Sequence, residues 1–278
     1  MEATHVAAAS LSALLHAGWN AAVKASRDPA RAMTAQMVSS AVLVLPGLFW
    51  SGLPDRAAWI WIAASTLMNV VTVSALLRAY ELGGFGIVYP IARAVAVLLV
   101  VPLAAGFAGD RLGLPALCGI LIIIASLAAL AYDAARDRSV SLQALAWTLA
   151  AGLGTAAYIL CDAQGVRAAG SPWAYGFAVS VTNAVAMCWR RRHAGPPWRQ
   201  MQGHWTVGTL TAVAAVVSYL LILWVWSGAP IAPSAALRDT SAIFAVLIAV
   251  IWLKEPFTPT RIVAVLLAAA AVPLLRLG

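Results

Sequence analysis

Residues 83–112, GGFGIVYPIARAVAVLLVVPLAAGFAGDRL, decide how the chain is read. A helix that spans hydrocarbon needs about 20 mainly apolar residues; this stretch supplies them and carries one arginine, Arg93, in its interior. Residues 228–257, GAPIAPSAALRDTSAIFAVLIAVIWLKEPF, repeat the plan with Arg238 inside and an acid at the end. Sliding by 145 places Arg93 on Arg238 and Asp110 on Glu255. Few other letters match, so what repeats is a pattern. An ionisable group within a span is costly and marks a cavity, a partner or a transport path.

Working outward, the whole chain has the same character. Of 278 residues, 63% are hydrophobic and 10% charged, with mean hydropathy +0.88, which is the make-up of an integral membrane protein. In lipid every backbone group must bond internally, so apolar runs of this length mean helices; the alternating strands of an outer-membrane barrel are absent from the pattern. The pattern predicts ten spans, at 6–23, 32–50, 58–79, 84–107, 112–132, 142–164, 172–189, 205–226, 231–253 and 260–277. A charged linker, 133–139, divides them into units 1–138 and 139–278 of five helices each. Five is odd, so the second unit enters the membrane inverted relative to the first, as in many secondary transporters, and the site lies between the halves near mid-membrane. The start, MEATHVAAASLSALLHAGWN, carries an acid where a signal peptide is basic and reads as a first helix.

The net charge of +8 does not point to nucleic acid, because most Lys and Arg fall in short loops where they set topology. Loops after odd-numbered spans hold twelve (Lys24, Arg27, Arg31, Arg78, Arg136, Arg138, Arg190, Arg191, Arg192, Arg199, Lys254, Arg261) against four on the other side (Arg56, Arg111, Arg167, Arg276). This bias puts both termini outside. Cys118, Cys161 and Cys188 stand singly without metal-ligand spacing and read as packing residues. Most of the twelve tryptophans, Trp226 among them, fall near span ends as interfacial anchors, which leaves Trp19 and Trp224 as the deep ones.

Arg93 and Arg238 offer planar forks that match a carboxylate or phosphate, and in antiparallel fourth and ninth helices they can converge on one space. The alternative is that they bond backbone carbonyls or pair with Asp239, Asp162 or Glu81. His16, Trp19, Asn20 and Val23 fall at i, i+3, i+4 and i+7, on one face of the first helix. An imidazole, an amide and an indole suit a zwitterionic or aromatic ligand; a packing role is the alternative. Tyr89 lies one turn before Arg93, and Thr155-Ala-Ala-Tyr158 loosely echoes His16-Ala-Gly-Trp19, which makes Tyr89 and Tyr158 further cavity candidates. His16, Glu81, Asp162 and Asp239 are the proton-coupling candidates. Asn69, Asn183 and Tyr219 read as helix-to-helix hydrogen-bonding groups.

Ten helices in two fives, the Gly-rich link between the third and fourth spans, acids closing the fourth and ninth (Asp110; Lys254-Glu255-Pro256) and the opening LLHAGWNAAVKAS resemble the EamA type of the drug/metabolite transporter superfamily over essentially the whole chain. The resemblance implies a secondary transporter of the inner (plasma) membrane, often an exporter of amino acids and other metabolites, with termini usually inside. The expected function is alternating-access transport of a small organic anion or zwitterion such as an amino acid, coupled to protons or another gradient, as a monomer or homodimer in lipid. An exporter of amphipathic or cationic drug-like compounds and a sensory membrane protein are the alternatives. An enzyme is disfavoured, because no HExxH, GxSxG or Walker-type sequence occurs; no cofactor or metal is expected.

Overall fold

The computed structural model describes residues 1–108, 113–136, 141–252, 254 and 258–277. Among these are twelve α-helices and no strand: α1 Ala3–Ala25, α2 Pro29–Ser51, α3 Trp59–Leu82, α4 Phe85–Ala108, α5 Leu114–Arg136, α6 Leu142–Arg167, α7 Pro172–Arg190, α8 Pro197–Met201, α9 Trp205–Gly228, α10 Ile231–Asp239, α11 Ser241–Ile251 and α12 Pro259–Leu277. Where helices start, short polar side chains supply the missing acceptors. Asp28 accepts from the Arg31 amide at 3.0 Å with Pro29 following, Ser141 accepts from Ala144 at 3.1 Å, and Ser171 accepts from Ala174 at 3.4 Å ahead of Pro172.

Seven stretches among the described residues are long and apolar enough to cross a membrane: Ala3–Ala25, Pro29–Ser51, Arg56–Leu82, Phe85–Ala104, Leu142–Arg167, Trp205–Gly228 and Ile231–Ile251. These seven account for seven of the ten expected spans. The apolar part of α5, Leu114–Ser126, is shorter, and α7, at 19 residues, interrupts its apolar run with Ser180, Thr182 and Asn183. Asp110, Arg111, Arg138, Glu255 and Pro256, and part of the expected linker, lie outside the described residues.

The span expected at 231–253 is present as Ile231–Ile251 but is built of two helices, which the sequence did not suggest. α10 ends at Asp239 and α11 begins at Ser241, with Thr240 between them at φ −59°, ψ −10°. The Thr240 amide bonds the Leu237 carbonyl at 3.2 Å and its hydroxyl donates to the same carbonyl at 2.6 Å. A hydroxyl that competes for a helix carbonyl tightens or bends the ladder, and here the irregular turn sits beside the charged pair Arg238-Asp239.

The helices assemble across the middle of the sequence. α3 lies along α6, and α1 along α9; α4 packs on α6, while α10 and α11 pack on α1; α2 packs on α7, and α5 on α12. Without a hydrophobic drive between apolar helices in lipid, close approach and buried hydrogen bonds hold such contacts. Gly152 is where α6 meets α4, since a Cβ there would stand 2.8 Å from the Ala92 carbonyl oxygen and 2.6 Å from Val95. Ser12 and Ser218 each donate to the other's backbone carbonyl at 2.7 Å, joining α1 to α9. Ser126 donates to the Ala264 carbonyl at 2.7 Å, joining α5 to α12. Large apolar side chains such as Val42, Phe49, Ile60, Leu67 and Leu210 remain exposed on the outside, as a lipid-facing surface requires.

Candidate functional site

A cavity of about 130 Å³ lies where α1, α2, α3 and α4 meet α6, α7, α9 and α10. Its wall includes His16, Trp19, Asn20, Arg93, Tyr158, Asp162 and Arg238, so seven of the residues chosen from the sequence share one space. The α1 face explains part of this: His16, Trp19 and Asn20 are successive neighbours on one helical stripe, with the His16 and Trp19 rings edge to face at 5.1 Å. The Asn20 side-chain nitrogen donates to the His16 carbonyl at 2.9 Å. The echo in α6 reaches the same place, for Thr155 and Tyr158 both line the cavity.

The two arginines are treated differently. Arg93 donates from Nη1 to Asp239 Oδ1 at 2.9 Å, and its Nη2 is hydrogen-bonded to His16 Nε2. The Tyr89 ring lies under the guanidinium at 5.2 Å. Adjacent residues on one helix point about 100° apart, so Asp239 does not turn to Arg238 but to the arginine of the other half. Arg238, 2% exposed, stands over the Trp226 ring at 5.5 Å, and its Nε and Nη1 have no hydrogen-bond partner among the described residues. Trp226 is wholly buried and serves as that platform, which corrects its reading as an interfacial anchor. The tight link between α9 and α10 folds it back under Arg238.

Asp162, 1% exposed, lines the cavity without an ion pair among the described residues. Its Oδ1 accepts from Ser65 at 2.5 Å and from Tyr175 at 3.1 Å. Tyr89 does not line the cavity. It is buried behind Arg93, with its hydroxyl donating to Ser241 Oγ at 3.0 Å, and it positions the guanidinium. Glu81 is exposed and paired with Arg78, away from the cavity; it closes α3, where water solvates both partners. Trp224 packs its ring against His5, tilted by 53° at 4.8 Å between centroids, and does not line the cavity.

Several lining residues were missed. Gln36 and Ser40 of α2, hydrogen-bonded to each other at 2.8 Å, face inward with Thr72 and Ser180. Their signal was available in α2, where a four-residue spacing puts two polar groups on one face of an otherwise apolar helix. Asn69, Asn183 and Tyr219 line the cavity as well, and the Oδ1 atoms of both asparagines are buried without partners among the described residues. Trp19 Nε1 and Asn20 Oδ1 are likewise unpartnered.

Residues 142–277 match the sequence model of the EamA-like transporter family. This C-terminal part of the chain is similar to EamA-like transporters. That family is one of membrane transporters of the drug/metabolite type, and the apolar helices fit a multi-pass membrane protein. No curated protein matches the chain. A solved crystal structure superposes on it with a TM-score of 0.74, covering 100% of this chain and 98% of its own at 11% identity; that likeness extends the fold over both halves.

Proposed function

We propose that this EamA-like protein is a secondary carrier of a small organic anion or zwitterion, working by alternating access around the central cavity. The observation that carries the reading is Arg238, a buried guanidinium with two N–H groups unbonded at the cavity wall. An uncompensated charge inside a membrane protein is costly, and a carboxylate or phosphate arriving there supplies the missing acceptors.

Two inverted five-helix units, 1–138 and 139–278, complete the proposal. Exchanging α1 with α6, α2 with α7, α3 with α9, α4 with α10–α11 and α5 with α12 carries the six most extensive helix pairings into pairings that are also observed, which supports the symmetry. Such a carrier rocks one unit against the other and opens the site to each side in turn. The Arg93–Asp239 pair ties the units together at the centre and is suited to reform in each state. We assign it to the inner membrane, with export as the direction implied by resemblance and a proton or other gradient as the drive. His16 and Asp162, inside the cavity, are the coupling residues of this reading.

The test is transport in proteoliposomes alongside thermal-shift screening of amino acids, organic acids, phosphonates and cationic drugs. Stabilisation by carboxylates or zwitterions, lost in Arg238→Gln, is expected; stabilisation by cations alone overturns the assignment. Proton-driven uptake lost in His16→Gln supports coupling there, and unchanged proton dependence in both His16→Gln and Asp162→Asn removes both residues from that role. A reporter at the C-terminus checks topology: the loop charges predict the outside, and cytoplasmic activity contradicts them.

A further inference from the structure

The cavity holds a second unpaired charge, and it is negative. Asp162 and Arg238 line the same 130 Å³ yet form no ion pair with each other, and Arg238 keeps bonding capacity in reserve. At the Arg238 end the open groups are donors, Nε and Nη1. The wall around Asp162 presents acceptors. Ser65 and Tyr175 both bond Oδ1, and the Tyr219 hydroxyl also lies against this carboxylate. Asn69 lies one turn beyond Ser65 on α3, and Asn183 two turns beyond Tyr175 on α7, so each shares a face with a residue that holds Asp162. Both asparagines have an unpartnered buried Oδ1.

Two open amide oxygens beside a carboxylate that has no ion pair among the described residues match a group that only donates, and an ammonium has three donors and no acceptor. The remaining charges balance, since Asp239 neutralises Arg93. A simple anion would leave Asp162 uncompensated, and a simple cation would leave Arg238 so. A ligand with both signs satisfies each end and adds no net charge.

Resting on the carrier reading above, we propose that the substrate is a small zwitterion whose anionic group lies on Arg238 and whose ammonium lies on an acceptor wall of Asp162, Asn69 and Asn183. The test uses the full-length protein in nanodiscs and matched triplets: an amino acid, its deaminated carboxylic acid and its decarboxylated amine, on small, branched and aromatic skeletons. In at least one triplet the zwitterion binds most tightly, with each singly charged partner about 10- to 100-fold weaker, as expected for a lost hydrogen bond to a charged group. Asp162→Asn, which keeps the side-chain shape, brings the zwitterion and the carboxylic acid within a few-fold of each other. Asn69→Leu/Asn183→Leu keeps the acid and weakens the zwitterion while sparing the carboxylic acid, so the proposal stays testable if Asp162→Asn does not fold. Equal binding of zwitterion and carboxylic acid by the wild type, both lost in Arg238→Gln, overturns the ammonium wall and leaves the anion site standing. Binding of the amine alone, or of no triplet member, overturns both readings.

Discussion

Arg93 and Arg238 occupy matching places in the two halves of the sequence, and the structure gives them different work. Arg93 is partnered: a carboxylate from the other half, an imidazole and a tyrosine ring surround its guanidinium. Arg238 rests on an indole face and keeps two N–H groups open. The lesson is that a repeated charge need not repeat a role. One arginine is tied to the other half of the chain, and the other is the one we propose to receive a ligand.

The sharpest way to break this contrast is to remove each charge relationship in turn. Asp239→Ala leaves Arg93 buried and unpaired, and loss of one partner of a buried pair costs about 3–5 kcal/mol. Thermal unfolding in detergent should therefore show a large drop for Asp239→Ala and a change of less than about 1 kcal/mol for Arg238→Gln. Equal drops would mean that Arg238 is also tied into the fold. On binding the order reverses. Arg238→Gln removes two charge-assisted contacts worth about 1.5–3 kcal/mol each, so ligand affinity falls at least about 100-fold by calorimetry. A third change probes the scaffold: Gly152→Val pushes a side chain into Val95 and the Ala92 carbonyl and should cost about 1–3 kcal/mol of stability, as overpacking does. If the purified Gly152→Val protein melts like the wild type, α4 does not approach α6 as closely as described. The smallest effect belongs to Glu81→Gln. Its pair with Arg78 is solvent-exposed, such pairs contribute about 0–1 kcal/mol, and neither melting nor proton-driven uptake should move.

Much of this site was legible because lipid makes polar residues conspicuous. A lone arginine, histidine or aspartate in an apolar run needs a reason, and helical spacing gathered His16, Trp19 and Asn20 before any coordinates. What the sequence could not disclose was partnership across the halves. Asp239 adjoins Arg238 in the chain but bonds Arg93, because neighbours on a helix diverge while packed helices bring distant residues together. Trp226 looked interfacial because it ends a span; the turn into α10 buries it. The break at Thr240 was hidden because residues 231–253 are apolar enough to read as one helix. Asn69 and Asn183 were read as glue between helices, a default that fails wherever the neighbouring space is hollow.

The most direct test of the unequal arginines is a structure with substrate bound. The account predicts the anionic group within about 3 Å of Arg238 Nε and Nη1, a hydrogen-bonding distance, with Arg93 still bonded to Asp239. An anion seated on Arg93 with Asp239 displaced, or a ligand outside the cavity, would contradict it.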